Sequence, residues 1–155
     1  MGKQAFELKA TLENVGSLVV SPDMPYNVQI KCSLCGEIHQ KTVQLTEDHL
    51  EPIPPKNRSE AHFVMKCKGC GRVNSLSITK VTPYTQSESW QMVCELECRG
   101  FEVSEWYPRH FVGTGIEGAE EAKYEVELED EEGWADYDER FDMPVSVLDL
   151  ETRIV

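Results

Sequence analysis

Apolar and polar residues alternate along most of this chain, which is the period of a half-buried strand and not that of a helix. Phe6 to Leu12 reads Phe-Glu-Leu-Lys-Ala-Thr-Leu, and Tyr26 to Lys31 alternates again. Residues 37–45, with Ile38, Val43 and Leu45, predict a further strand, as do His62 to Lys66 and Val73 to Val81. Ser89 to Glu97 places Trp90, Met92, Cys94 and Leu96 on one face, the clearest one-sided pattern in the sequence, and predicts burial of Trp90, Met92 and Leu96. Between these segments lies turn chemistry. Asn14 to Pro25 reads as a loop around a short apolar Leu18-Val19-Val20, bounded by Gly16, Pro22 and Pro25. Thr46 to Ala61, with Pro52, Pro54 and Pro55, reads as a surface loop, and Thr82 to Glu88, with Pro83, as another. Beyond Val103 to Phe111, Gly113, Gly115 and Gly118 read as a flexible link into an acidic stretch. There Tyr124, Val126 and Leu128 alternate with acids, as on an edge strand with one wet face, and Pro144 to Val155 reads as a last strand. Helical periodicity is strong nowhere, so the expected fold is mainly β.

The strand pattern echoes itself. Ala10, Leu12, Val28, Ile30 and Cys32 recur 66 residues later as Leu76, Ile78, Cys94, Leu96 and Cys98. One offset fits two separate strands and a cysteine, which predicts two similar antiparallel β halves, approximately 1–72 and 73–155, within one domain over 1–155. The second copy shortens Cys32-Ser33-Leu34-Cys35-Gly36 to Cys98-Arg99-Gly100, so only the first half is expected to keep a metal.

Two of the turns carry chemistry. Cys32-Ser33-Leu34-Cys35-Gly36 and Cys67-Lys68-Gly69-Cys70-Gly71 each present two thiols at C-x-x-C spacing, with a glycine that tolerates the positive φ of a tight turn. Two such knuckles supply the four thiolates of a tetrahedral Zn²⁺ site, a four-cysteine site in the N-terminal half built from Cys32, Cys35, Cys67 and Cys70. Residues 36–66 separate the pairs, about double the gap of the compact zinc-finger pattern. Closing that loop costs about 3 kcal/mol plus a constant, whereas structural zinc in small peptides binds with an apparent ~10–16 kcal/mol. The alternatives are two disulfides or four buried free thiols. Lys31, Lys66, Lys68 and Arg72 flank the knuckles and offset the −2 formal charge of such a centre, with Glu37 the one acid immediately beside them. Cys94 and Cys98 fall about 13 Å apart along an extended strand, too far for a mutual disulfide, and are expected as packed, reduced thiols. His39, His49, His62 and His110 show no paired ligand spacing.

Charge narrows the function. The chain of 155 residues has a formal net charge of −13. Residues 117–142 hold thirteen acids against Lys123 and Arg140, a balance of −11, and the rest of the chain is nearly neutral. That distribution argues against nucleic acid, whose phosphates need an excess of Lys and Arg. It makes the acidic segment a candidate surface for a protein partner, with Trp134 and Tyr137 as anchors either for that partner or for the core. No run of eighteen apolar residues spans a membrane, and the N-terminal residues lack a signal-peptide core. Six cysteines without a secretory signal suggest a reducing compartment, cytoplasmic or also nuclear.

Taken in order, Leu8-Lys9-Ala10-Thr11-Leu12-Glu13-Asn14, Lys31 to Glu37, Lys66 to Cys70, Glu97-Cys98-Arg99-Gly100 and Trp134 to Glu139 resemble the eukaryotic CXXC-motif-containing zinc-binding protein family. The resemblance covers nearly the whole chain. It implies a mostly β fold of two similar halves and one zinc ion per chain on Cys32, Cys35, Cys67 and Cys70, without an assigned biochemical activity. Ser59 after Arg58 and the thiol at Cys94 depart from the family pattern. The sequence shows no nucleophile elbow, phosphate-binding loop or dinucleotide fingerprint, and a closed four-sulfur shell offers no position for a reactive water. The expected function is therefore a non-enzymatic, monomeric protein-interaction module with a structural zinc. The alternative is a metal-trafficking or thiol-exchange protein whose thiolates themselves pass on the metal.

Overall fold

The computed structural model describes residues 2–20, 26–39, 42–46, 49–54, 58–106, 109–128 and 133–155. Pro22, Pro25, Pro55 and residues 129–132 of the acidic stretch lie outside the described residues. Among the described residues the fold is all β, without a helix. In chain order the strands are β1 (Gly2–Glu13), β2 (Val15–Val20), β3 (Tyr26–Cys32), β4 (Val43–Leu45), β5 (Glu51–Pro52), β6 (Glu60–Ala61) and β7 (Phe63–Lys66). They continue with β8 (Val73–Val81), β9 (Gln91–Arg99), β10 (Phe101–Trp106), β11 (His110–Gly115), β12 (Lys123–Glu127), β13 (Trp134–Asp138) and β14 (Met143–Ile154). A six-stranded sheet runs β13-β14-β1-β9-β8-β7, and two three-stranded sheets run β10-β3-β4 and β12-β11-β2. The ribbon β5-β6 stands apart. Every strand pairing among the described residues is antiparallel.

The inward positions of these strands make one core. Phe6, Leu8 and Ala10 of β1, Val28 and Ile30 of β3, Leu76 of β8, Leu96 of β9 and Val145 and Val147 of β14 are all buried. Phe6 stacks on Trp106 at 4.6 Å between centroids, which fastens the six-stranded sheet to β10. Burial of an aromatic or aliphatic side chain of this size contributes about 1.5–3 kcal/mol.

Several segments differ from the sequence reading, each for a physical reason. Leu18-Val19-Val20 is not a loop but part of β2, whose register runs Val20↔Phe111 to Ser17↔Thr114. Gly113 and Gly115 are not a flexible link; they lie inside β11. A side chain on Gly115 would be driven into the backbone of Ala119, so glycine serves close approach here. Ile38 is half exposed and joins Lys31 through an isolated bridge, and β4 has three residues. In β9 the pairing with β1 passes from Cys94↔Phe6 to Met92↔Glu7, so Val93 is the extra residue of a bulge. The bulge turns the alternation over: Val93, Cys94, Leu96 and Cys98 are buried, while Trp90 and Met92 are only half-buried. Trp90 instead lies under the Arg153 guanidinium, 4.2 Å from its ring centroid.

The 66-residue echo does not appear as a pair of equivalent hairpins. β8 and β9 pair with each other, whereas β1 pairs with β9 and β14, and β3 pairs with β10 and β4. Strand β1, from the first half, sits between two strands of the second.

The loop reading of Thr82 to Glu88 misses Tyr84, which is fully buried. Its backbone pairs with Leu18, and its hydroxyl accepts from the Ala10 N–H at 3.1 Å and lies 2.6 and 2.7 Å from the carbonyls of Gln86 and Ser89. Ala10 lies beyond the last β1–β9 pair, Leu8↔Gln91, and at an irregularity between β1 and β14. Tyr84 therefore supplies the partner that Ala10 lacks in the ladder.

Candidate metal centre

The two knuckles have the same local build. After Cys32, at the end of β3, the Gly36 N–H returns to the Cys32 carbonyl at 2.9 Å, and the Cys32 N–H bonds to Glu37 O at 2.9 Å. After Cys67, which follows β7, Gly71 N–H to Cys67 O and Cys67 N–H to Arg72 O are both 2.8 Å. Gly36 and Gly71 close the turns with φ of 79° and 76°, the left-handed region that favours glycine. The second knuckle is the tip of the β7–β8 hairpin, whose last pair is Lys66↔Val73.

The fold brings the four sulfurs together. The ligand atoms of Cys32, Cys35, Cys67 and Cys70 all lie within 4.8 Å of one another. Cys32 Sγ is 3.8 Å from Cys70 Sγ, and Cys35 Sγ is 3.6 Å from Cys67 Sγ. A tetrahedron of sulfurs about 2.3 Å from a central Zn²⁺ has edges of about 3.8 Å, so the donor set fits the ion in both chemistry and spacing. None of the six cysteines forms a disulfide. Among the described residues no other group of three or more metal-ligating side chains converges in this way. The first cysteine of each knuckle is buried and the second exposed.

Backbone N–H groups favour anionic sulfur at this centre, while burial and the crowding of the thiols oppose it at Cys35 and Cys70. The Cys35 N–H, followed by that of Leu34 and the neighbouring thiols Cys35 and Cys67, outweighs burial and draws the Cys32 thiol down to about 6. At Cys35 the Glu37 N–H pulls downward, but burial and the three neighbouring sulfurs together push the thiol up to about 12. Cys70 is also raised: the Arg72 N–H lowers it, and burial with Cys32 and Cys67 prevails. Sulfurs in mutual contact hold on to protons because one anion disfavours the next, and a cation among them removes that penalty. Lys31 is partly engaged by Glu102, 3.9 Å away. Glu37 Oε2 accepts a long contact from Cys67 Sγ at 3.9 Å, so the acid beside the site touches one ligand directly.

With this geometry, comparison with known proteins is decisive. Residues 5–155 match the model of the eukaryotic CXXC motif containing zinc binding protein. The chain belongs to this family. The human CXXC motif containing zinc binding protein is 35% identical over 162 residues, covering 100% of this chain and 99% of that protein. The Drosophila melanogaster UPF0587 protein CG4646 is 34% identical over 100% of this chain and 98% of that protein. The crystal structure of C1orf123 matches with a TM-score of 0.88 at 33% identity, covering 99% of each chain. Zinc binding is thus a property of the family, and this member carries a four-cysteine cluster suited to it.

The remaining candidates resolve individually. Cys94 and Cys98 are buried. Burial, then Glu102 and Glu97, pushes the Cys98 thiol up to about 11, so it stays protonated at neutral pH. Its S–H donates to Gln4 Oε1 at 3.2 Å. His62 Nδ1 accepts the Ile78 N–H at 3.0 Å, a structural bond. In the acidic stretch β12 is an edge strand with Val126 buried and Glu125 and Glu127 exposed, as its alternation predicts. Trp134 is half-buried and packs on Tyr124 at 6.1 Å, whereas Tyr137 is half exposed. No helix among the described residues is long and apolar enough to cross a membrane.

Sequence reasoning missed Asn74 altogether, and it singled out the turn at Gly100 without placing it beside the centre. The Gly100 carbonyl accepts the Ser33 N–H of the first knuckle at 2.8 Å, so the Glu97-Cys98-Arg99-Gly100 turn is built against the metal centre. The one signal for Asn74 was an asparagine inside a strand, where that residue is depleted.

Proposed function

We propose that this protein holds one zinc ion on Cys32, Cys35, Cys67 and Cys70 and works as a non-enzymatic protein-interaction module. One observation carries the reading: the four sulfurs come from two sheets and meet at tetrahedral spacing. An ion there ties the β7–β8 edge hairpin of the six-stranded sheet to β3 of the small one. Four sulfurs close the shell and leave no position for a substrate or an activated water, so the metal supplies architecture.

The contact surface we propose is the acidic segment 117–142. Its balance of −11 repels phosphate backbones and attracts basic protein surfaces at low salt. Tyr137, half exposed among Asp136, Glu139 and Asp142, is the aromatic anchor available to a partner. The monomer acts in a reducing compartment, where the thiols stay available to the metal.

A second reading, metal trafficking, is favoured by the exposure of Cys35 and Cys70, which an incoming chelating ligand can reach. Competition with a zinc chelator, followed simultaneously by metal release and far-UV circular dichroism, separates the two. For a structural ion, zinc loss and unfolding coincide and are slow. Rapid zinc exchange with an unchanged spectrum would instead establish trafficking.

A further inference from the structure

We infer that Asn74 is a positioning residue of the metal centre, its side-chain amide holding the Cys32 sulfur in place by an N–H···S hydrogen bond. The inference rests on the zinc reading of the four cysteines and assigns a role outside that ligand set.

Asn74 is the second residue of β8, paired with Met65 across the hairpin that carries the second knuckle. It is 1% exposed. Its Nδ2 lies 3.6 Å from Sγ of Cys32, which belongs to the first knuckle. The bond therefore crosses between the two halves of the ligand set. Burying an amide costs free energy unless its polar atoms find partners, and a leucine would fill similar space without that cost. Packing alone does not account for asparagine here.

The environment fixes which end of the amide faces the sulfur. A metal-bound thiolate has no proton to give, so only the NH2 end makes a favourable contact. The other end, Oδ1, is buried with no hydrogen-bond partner. It faces Gly100, where a Cβ would be driven into Oδ1. Gly100 has φ of 85° and presents a Cα hydrogen in that direction, a weak donor to a carbonyl oxygen. Gly100 is in turn pinned to the first knuckle through Ser33. Asn74, Gly100 and Ser33 thus form a brace around Cys32.

The chemical consequence follows from charge. A zinc ion with four thiolates carries a formal −2, and an N–H dipole aimed at one sulfur stabilises that anion and fixes its direction. Loss of such a partner to a metal ligand costs roughly 10–100-fold in metal affinity.

The test uses the full chain loaded with zinc, and separately with cobalt(II), whose sulfur-to-metal charge-transfer bands report thiolate donation. Asn74→Leu keeps the branched shape and removes the donor. Its zinc affinity against a competing chelator should fall by roughly 10–100-fold, and its cobalt charge-transfer bands should shift. Asn74→Asp, which sets a carboxylate against the thiolate, should lose more. Gly100→Ala, which pushes the amide aside, should move the bands in the direction of Asn74→Leu. Should Asn74→Leu not fold, Asn74→Ala adds no bulk and carries the same expectation. Variants that fold, bind zinc as tightly as the parent and leave the cobalt bands in place would overturn the inference and leave the zinc reading intact. A parent protein that takes up neither metal would overturn both.

Discussion

Cys67→Ser protein is expected to lose its zinc and its native fold together. Cys67 is buried at the base of the second knuckle, and its sulfur is 3.6 Å from Cys35 across the centre. A serine hydroxyl is a poor ligand for zinc, and three sulfurs hold the ion far less well than four. Structural zinc contributes an apparent ~10–16 kcal/mol in small peptides, while whole domains are stable by about 5–15 kcal/mol. Weakening that one site therefore removes a large share of the free energy holding β3 against the β7–β8 hairpin. The variant should be insoluble or partly unfolded, with no zinc by elemental analysis. A soluble Cys67→Ser protein that melts cooperatively without metal would show that the ion is not structural.

The second large effect is expected at Tyr84, which is not among the residues of the metal centre. Tyr84→Phe keeps the buried ring but leaves the Ala10 N–H without its acceptor, a loss of about 1–3 kcal/mol. Tyr84→Ala also opens a cavity in the core, and large aromatic truncations cost about 3–5 kcal/mol. In a chain of this size each kcal/mol lowers Tm by roughly 2–4 °C. Thermal melts should therefore rank parent, Tyr84→Phe and Tyr84→Ala in descending order, with unchanged zinc content in all three. If Tyr84→Phe melts with the parent, the hydroxyl is not what satisfies Ala10.

What the sequence made legible depended on whether the deciding interaction was local. The knuckles were readable because spacing, thiol chemistry and the glycines at 36 and 71 lie within five residues of one another. Strand β8 was readable to its ends, Val73 and Val81. Strand β2 was not, since Leu18-Val19-Val20 becomes a strand by pairing with β11, almost a hundred residues away, with Leu18 also bridged to Tyr84. The face of β9 was misjudged around Trp90 and Met92 because a bulge at Val93, set by pairing with β1, reverses the alternation. Asn74 stayed hidden for the same reason: its partner, Cys32, is 42 residues distant in sequence. The repeated 66-residue spacing shows the converse, a local similarity that the sheet pairings do not carry into equivalent hairpins.

The proton balance of the centre gives the metal a defined pH dependence. Cys35, pushed up to about 12, and Cys70, also raised, hold their protons at neutral pH in the absence of metal. Zinc must displace those protons, so binding releases them and affinity falls as pH falls.

The most direct measurement of the central claim is zinc-edge X-ray absorption on protein purified under reducing conditions, paired with metal content per chain. The expected result is one zinc per chain surrounded by four sulfurs at about 2.3 Å. A first shell containing nitrogen or oxygen, two zinc ions per chain, or protein carrying no zinc would contradict it.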